Sequence, residues 1–142
     1  IVTRIDFYLL EDKDINAMYR FACKLAAQVI SAGNQVYMHT ENERDAKLID
    51  SMLWEYPPKR FIPHEITSTE SKSPITIGWG ESTIVDDILI NLTDGVLDYF
   101  GQFSRLAEIV IKPNRENGRE RYKFYRDRGF PLSHHKIEGW EN

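Results

Sequence analysis

"IDFYLLEDKDINAMYRFACKLAAQVISAGNQVYMH", residues 5–39, decides the fold class. Its opening "IDFYLL" mixes β-branched, aromatic and aliphatic side chains, the composition of a buried strand. Asp14 then stands where a carboxylate can accept from the free amides at a helix start. Met18, Phe21, Ala22, Leu25, Ala26 and Val29 follow at spacings of three and four, one apolar face of a helix. Gly33 suits the left-handed residue that closes it. "QVYMH" (35–39) returns to strand composition, so the segment reads strand, helix, strand.

Outward from there the alternation continues. Thr40 and Glu43 have the spacing of a capping box, and Ala46, Leu48, Ile49, Met52 and Leu53 give the next helix an apolar face before Pro57-Pro58 stops it. Alternating strands and helices predict a parallel sheet with right-handed crossovers. Further strands are expected at Phe61–Ile62, 75–79, 87–92 and 108–112, with an irregular helical stretch at 94–106. "TSTESKSP" (67–74) is a loop. Asn114 is placed to cap a last helix that Gly129 closes, although Gly118 inside it costs about 1 kcal/mol relative to Ala. The tail from about residue 131 is polar and expected to be loosely held.

With 142 residues, 42% of them hydrophobic and 28% charged, the chain has the make-up of one globular domain with a real core. No run of about 18 apolar residues indicates a membrane span. Cys23 is the single cysteine, which excludes an internal disulfide and points to a reducing compartment.

An open α/β sheet invites a nucleotide, but the turn after the first strand reads "LLEDKDIN". It holds three acids and no glycine, so backbone amides cannot approach a pyrophosphate and the carboxylates repel one. No P-loop, nucleophile elbow or zinc-ligand spacing occurs. His39 ends a strand near Glu41 and Glu43, His134 and His135 sit in the tail, and Cys23 lies within a helical pattern. The reading is no catalytic residue, no metal and no cofactor.

The charge distribution is uneven. The whole chain carries −4, yet Lys112 to Arg128 holds seven basic residues against three acids. Arg115, Arg119, Tyr122 and Arg126 fall on one stripe of the helix, with Lys123 beside it and Phe124 on the far side, able to face the sheet. The stripe itself contains no acid. Cations flanking an aromatic suit a ligand both acidic and apolar, either a carboxylate-bearing peptide or single-stranded nucleic acid. In "MLWEYPPKRFIPHEI" (52–66), Trp54 and Phe61 sit in a proline-rich connection, where they can cap the core or form a partner surface.

"FYLL", "LW-x-x-P" followed by "F-x-PH", "DILINL" and above all "RERYKFYR-x-x-GF" stand in order over residues 5–131. Together they resemble the chi subunit of the bacterial DNA polymerase III holoenzyme. The resemblance implies a single α/β domain over 1–142, with a Rossmann-like open sheet, mostly parallel, and helices on both faces. It implies a non-catalytic replication adaptor in the bacterial cytoplasm, with no cofactor and no membrane contact. Its partners would be the psi subunit, through it the clamp loader, and the acidic, Phe-terminated C-terminal tail of single-stranded DNA-binding protein, with DNA reached indirectly. Arg119, Tyr122 and Lys123 match the tail site, with Arg115 and Arg126 on the same helix. Trp54 and Phe61 match the psi face, which a helicase also uses in the family. Two other readings stay open: direct binding of single-stranded DNA by the basic stripe, and a degenerate nucleotide-dependent α/β enzyme.

Overall fold

A computed structural model describes residues 2–55, 64–66, 73–81, 84 and 87–141. In chain order these form β1 (Arg4–Leu10), α1 (Ile15–Ser31), β2 (Val36–Thr40), α2 (Glu43–Glu55), β3 (His64–Ile66), β4 (Ile75–Trp79), β5 (Ile88–Asn91), β6 (Arg105–Val110), α3 (Arg115–Asp127) and β7 (Leu132–Ile137). Short 3-10 turns at Phe100–Gln102 and Lys112–Asn114 flank β6. The strands make one sheet in the order β3-β4-β2-β5-β6-β1-β7, and among the described residues every neighbouring pair is parallel.

Local chemistry explains the element ends. Asp14 accepts from the Asn16 amide at 3.0 Å and opens α1, and Gly33 closes it at φ 93°. The start of α2 differs from the expected Thr40–Glu43 box. Asn42 caps it, its Oδ1 accepting from the Asp45 amide at 2.9 Å. Thr40 ends the fully buried β2, and its hydroxyl donates instead to the Gly78 carbonyl at 2.9 Å.

Two apolar layers lie on the two faces of the sheet. α1 and α2 cover one, packing Met18, Leu25, Ile49 and Leu53 against Leu10, Met38, Ile77 and Ile109. α3 and the turn at Phe100 cover the other, with Tyr125, Phe100 and Phe103 against Phe7, Tyr37, Leu89 and Leu106.

The expectation of a loosely held tail is corrected. Residues 132–137 form a seventh strand on the outer edge of β1, with Ile5 opposite Leu132 and Leu10 opposite Ile137. Beyond it Trp140 packs edge-on against Phe21, its carbonyl accepts from Lys24 at 2.7 Å, and Glu141 pairs with Arg20 at 3.0 Å. An edge strand is held by backbone bonds to one neighbour, so it can form from residues too polar to look like a strand. β6 starts three residues before the expected 108, because Arg105 is anchored by Asp6 at 2.7 Å. The strand expected at 61–62 lies outside the described residues.

Candidate functional site

α3 meets the sheet on a face that hydrophobicity does not mark. Its buried residues are Gly118, Arg121 and Tyr125, spaced three and four apart. Phe124, expected on that face, is only half-buried against the Phe100 ring at 6.3 Å, and the Arg128 guanidinium stacks 3.5 Å over it. Beneath α3, on β6 opposite the last residue of β5, Glu108 is wholly buried. It accepts from Arg121, from the Tyr125 hydroxyl and from Asn91 Nδ2. Burial pushes the Glu108 carboxyl above its ordinary value, against the pull of Arg121, Tyr125 and Asn91. A carboxylate and a guanidinium removed from water this way must satisfy each other. The network fastens α3 to the sheet and fixes its rotation.

That rotation turns the next stripe of α3 toward the sheet edge. Arg115, Gly118, Arg119 and Tyr122 form one wall of a cleft of about 550 Å3. Phe7 and Leu9 of β1 with Val110 form its floor, His134 and Lys136 of β7 the opposite wall, and Glu11 one end. Tyr122 meets Phe7 ring to ring at 5.3 Å, giving the cleft an aromatic corner. Gly118 lets the helix sit this low: a Cβ there would stand 2.9 Å from Val110 Cγ2. The glycine that looks like a defect in the helix is a close-approach residue.

The acid missing from the helix stripe comes from elsewhere. Glu11, in the turn after β1, pairs with Lys112 at 3.2 Å and with Arg115 at 3.2 Å. The Lys112 bond, then the charges of Lys112 and Arg115, hold its carboxyl below the ordinary value. Arg115 is thus already engaged. Arg119, exposed at the rim, forms no ion pair with any described residue. Of the five residues singled out on this helix, Arg115, Arg119 and Tyr122 share the cleft, whereas Lys123 and Arg126 are exposed outside its lining. Arg126 leans on Asp127 at 3.3 Å. Glu11, His134 and Lys136 escape a reading of the helix alone; the alternation of side chains along 132–137 would mark the last two only once that segment is taken as a strand.

The other features singled out in the sequence have structural roles or stand apart. Cys23 is buried in the α1 core, where burial raises its thiol to about 12. His39 accepts from or donates to the Tyr37 hydroxyl at 2.8 Å, and burial lowers its ring below the ordinary value. In the acidic turn, Asp12 takes the Lys112 amide on its carbonyl at 3.0 Å and the Trp140 indole on its carboxylate at 3.2 Å. Trp54 ends α2 on the surface with 60% of its area exposed, its ring edge-on to His64 at 5.0 Å. Phe61 lies outside the described residues.

The fold is thus an open parallel α/β sheet with a cationic, apolar-floored cleft under its last helix, and its described turn after β1 is acidic and without glycine. The family model described as "DNA polymerase III chi subunit, HolC" matches residues 2–133. A DNA polymerase III subunit chi from Pseudomonas aeruginosa is 35% identical over 139 residues, covering 96% of this chain and 98% of that protein. Those of Haemophilus influenzae and Escherichia coli are 34% and 31% identical, each over 89% of this chain and over 92% and 93% of their own lengths. The chain belongs to the DNA polymerase III chi subunit family. Among solved structures, a variant of Saccharomyces cerevisiae Dbp5 bound to RNA and ADP BeF3 superposes with a TM-score of 0.62 over 96% of this chain and 43% of its own. At 9% identity that likeness concerns the fold alone.

Proposed function

We propose that this chain is a non-catalytic adaptor within the DNA polymerase III assembly, in the bacterial cytoplasm. The cleft under α3 would hold the acidic, Phe-terminated tail of single-stranded DNA-binding protein. Trp54, with Phe61, would hold the psi subunit and through it the clamp loader, a face open to a helicase as well.

The observation that carries the reading is Arg119. An arginine with no ion-pair partner among the described residues stands at the rim of a cleft whose floor is Phe7, Leu9 and Val110. A guanidinium grips a terminal carboxylate through two parallel hydrogen bonds, and the apolar floor beside it accepts the ring that carries that carboxylate. Lys123 and Arg126, exposed on the same helix, add long-range attraction for an acidic chain. The acidic turn Glu11-Asp12-Lys13-Asp14 favours no phosphate there, which supports an adaptor over a nucleotide-dependent enzyme.

Fluorescence anisotropy with the tail peptide, and in parallel with oligo-dT at two salt concentrations, tests this. Arg119→Ala should weaken peptide binding about 10- to 100-fold, the worth of a charge-assisted pair, and Arg119→Lys should recover only part. If Arg119→Ala spares the peptide and weakens oligo-dT, the cleft is a DNA site.

A further inference from the structure

Strand β7 alternates in a way that separates two tasks. His135 and Ile137 point to the α1 face: His135 stacks on Tyr8 at 5.0 Å and lies 3.1 Å from Asp6, and Ile137 packs on that core. His134 and Lys136 line the cleft beside their register partners Phe7 and Leu9, and Lys136, on the sheet edge, also reaches a cavity on the α1 side. The wall facing the basic helix is therefore itself basic, and it belongs to a sheet edge with no strand beyond it among the described residues.

Counting charges across the cleft sharpens this. Arg115, Arg119 and Lys136 line it against one carboxylate, Glu11, and that carboxylate is already shared by Arg115 and Lys112. Lys136, exposed, forms no ion pair with any described residue. Two cations of different character, neither ion-paired among the described residues, thus line one apolar floor. Arg119 is a planar fork suited to one fixed carboxylate. Lys136 is a point charge on a flexible stem, suited to carboxylates whose position varies.

We propose that Lys136, with His134 beside it, is a specificity-determining residue that reads the side-chain carboxylates preceding the terminal residue of the bound peptide, while Arg119 takes the terminal carboxylate. The assignment rests on the adaptor reading of the cleft and adds the β7 wall to it. It makes the cleft selective for acidic tails over neutral tails that end in the same aromatic residue.

The test uses two labelled peptides with the same C-terminal Phe and free carboxylate, one with aspartates ahead of it and one with asparagines in their place. Lys136→Ala should weaken the aspartate peptide about two- to fivefold, the range of an exposed ion pair. It should leave the asparagine peptide unchanged, and Lys136→Glu should widen the gap. Arg119→Ala should weaken both peptides. Equal loss for both peptides in Lys136→Ala, or no loss for either, overturns the assignment. Loss in neither peptide for Arg119→Ala instead sinks the underlying reading of the cleft, so the two failures are distinguishable. Circular dichroism on each variant separates lost charge from lost strand.

Discussion

Gly118 and Val110 touch where α3 crosses the end of β6: a Cβ on the glycine would come within 2.9 Å of one valine methyl and 3.2 Å of the other. Val110 is buried and β-branched, so it has little freedom to move aside. Gly118→Ala gains about 1 kcal/mol of helix propensity and loses about 1–3 kcal/mol to overpacking. The expected net is a destabilisation of about 1 kcal/mol, with weaker peptide binding because both residues line the cleft. Urea unfolding of Gly118→Ala, Val110→Ala and the double variant checks it. If the double variant shows no recovery relative to Val110→Ala, the contact is not the cause.

Arg121 is the buried counter-charge of Glu108, and its guanidinium is also fixed by Asn117 at 2.7 Å. Arg121→Ala leaves a carboxylate in the core without its cation and should cost about 3–5 kcal/mol. Adding Glu108→Gln should recover a substantial part, because an amide tolerates the site better than an unpaired charge. Should the double variant be no more stable than Arg121→Ala in denaturant titration, the pairing does not govern the packing of α3.

Asp6 gives the fold an acid-side dependence. Burial alone would raise its carboxyl, but hydrogen bonds from His135 and Arg105, with the charges of Arg105 and Arg4, hold it below the ordinary value. A depressed folded value means that its stabilisation is present above the unfolded value of about 4 and is lost as pH falls through the lower folded value. Asp6→Asn should therefore be less stable than the parent at neutral pH, by about 1–3 kcal/mol. The gap should close on acidification. A constant difference from pH 7 down to about 3 contradicts the linkage.

Trp54 is largely exposed, as its proposed role as a psi anchor requires. Trp54→Ala should weaken psi association by about 2 kcal/mol and leave the unfolding midpoint almost unmoved. A collapse of the circular dichroism signal would return Trp54 to the core.

How far the sequence could be read depended on how much of each signal was apolar. Residues 5–39 were legible because Phe7, Leu25 and Met38 carry their periods in hydrophobic side chains. The orientation of α3 was half legible. Of the stripe Arg115, Arg119, Tyr122 and Arg126, the first three line one cleft and Arg126 does not, and the buried face consists of a glycine, an arginine and a tyrosine, which no hydrophobic stripe reveals. The β7 wall was invisible for a related reason: Ser133, His134, His135 and Lys136 are exposed, and only Leu132 and Ile137 at its ends are partly covered. Backbone pairing to β1 supplies what hydrophobicity does not.

The position of β1 has a consequence for the order in which the protein can be made. Among the described strands β1 is synthesised first, and it lies between β6 and β7, which are synthesised last. Synthesis therefore releases an apolar strand whose hydrogen-bonding partners do not exist until residues 105–137 have followed. The inner ladder of β2, β4 and β5 can assemble earlier, so the sheet would be completed from its middle outward, with the N-terminal strand inserted late. Such non-local closure is slow and leaves β1 exposed to other chains meanwhile. Pulse proteolysis of ribosome-bound chains of increasing length reads this order directly, and protection of β1 before β6 emerges would contradict it.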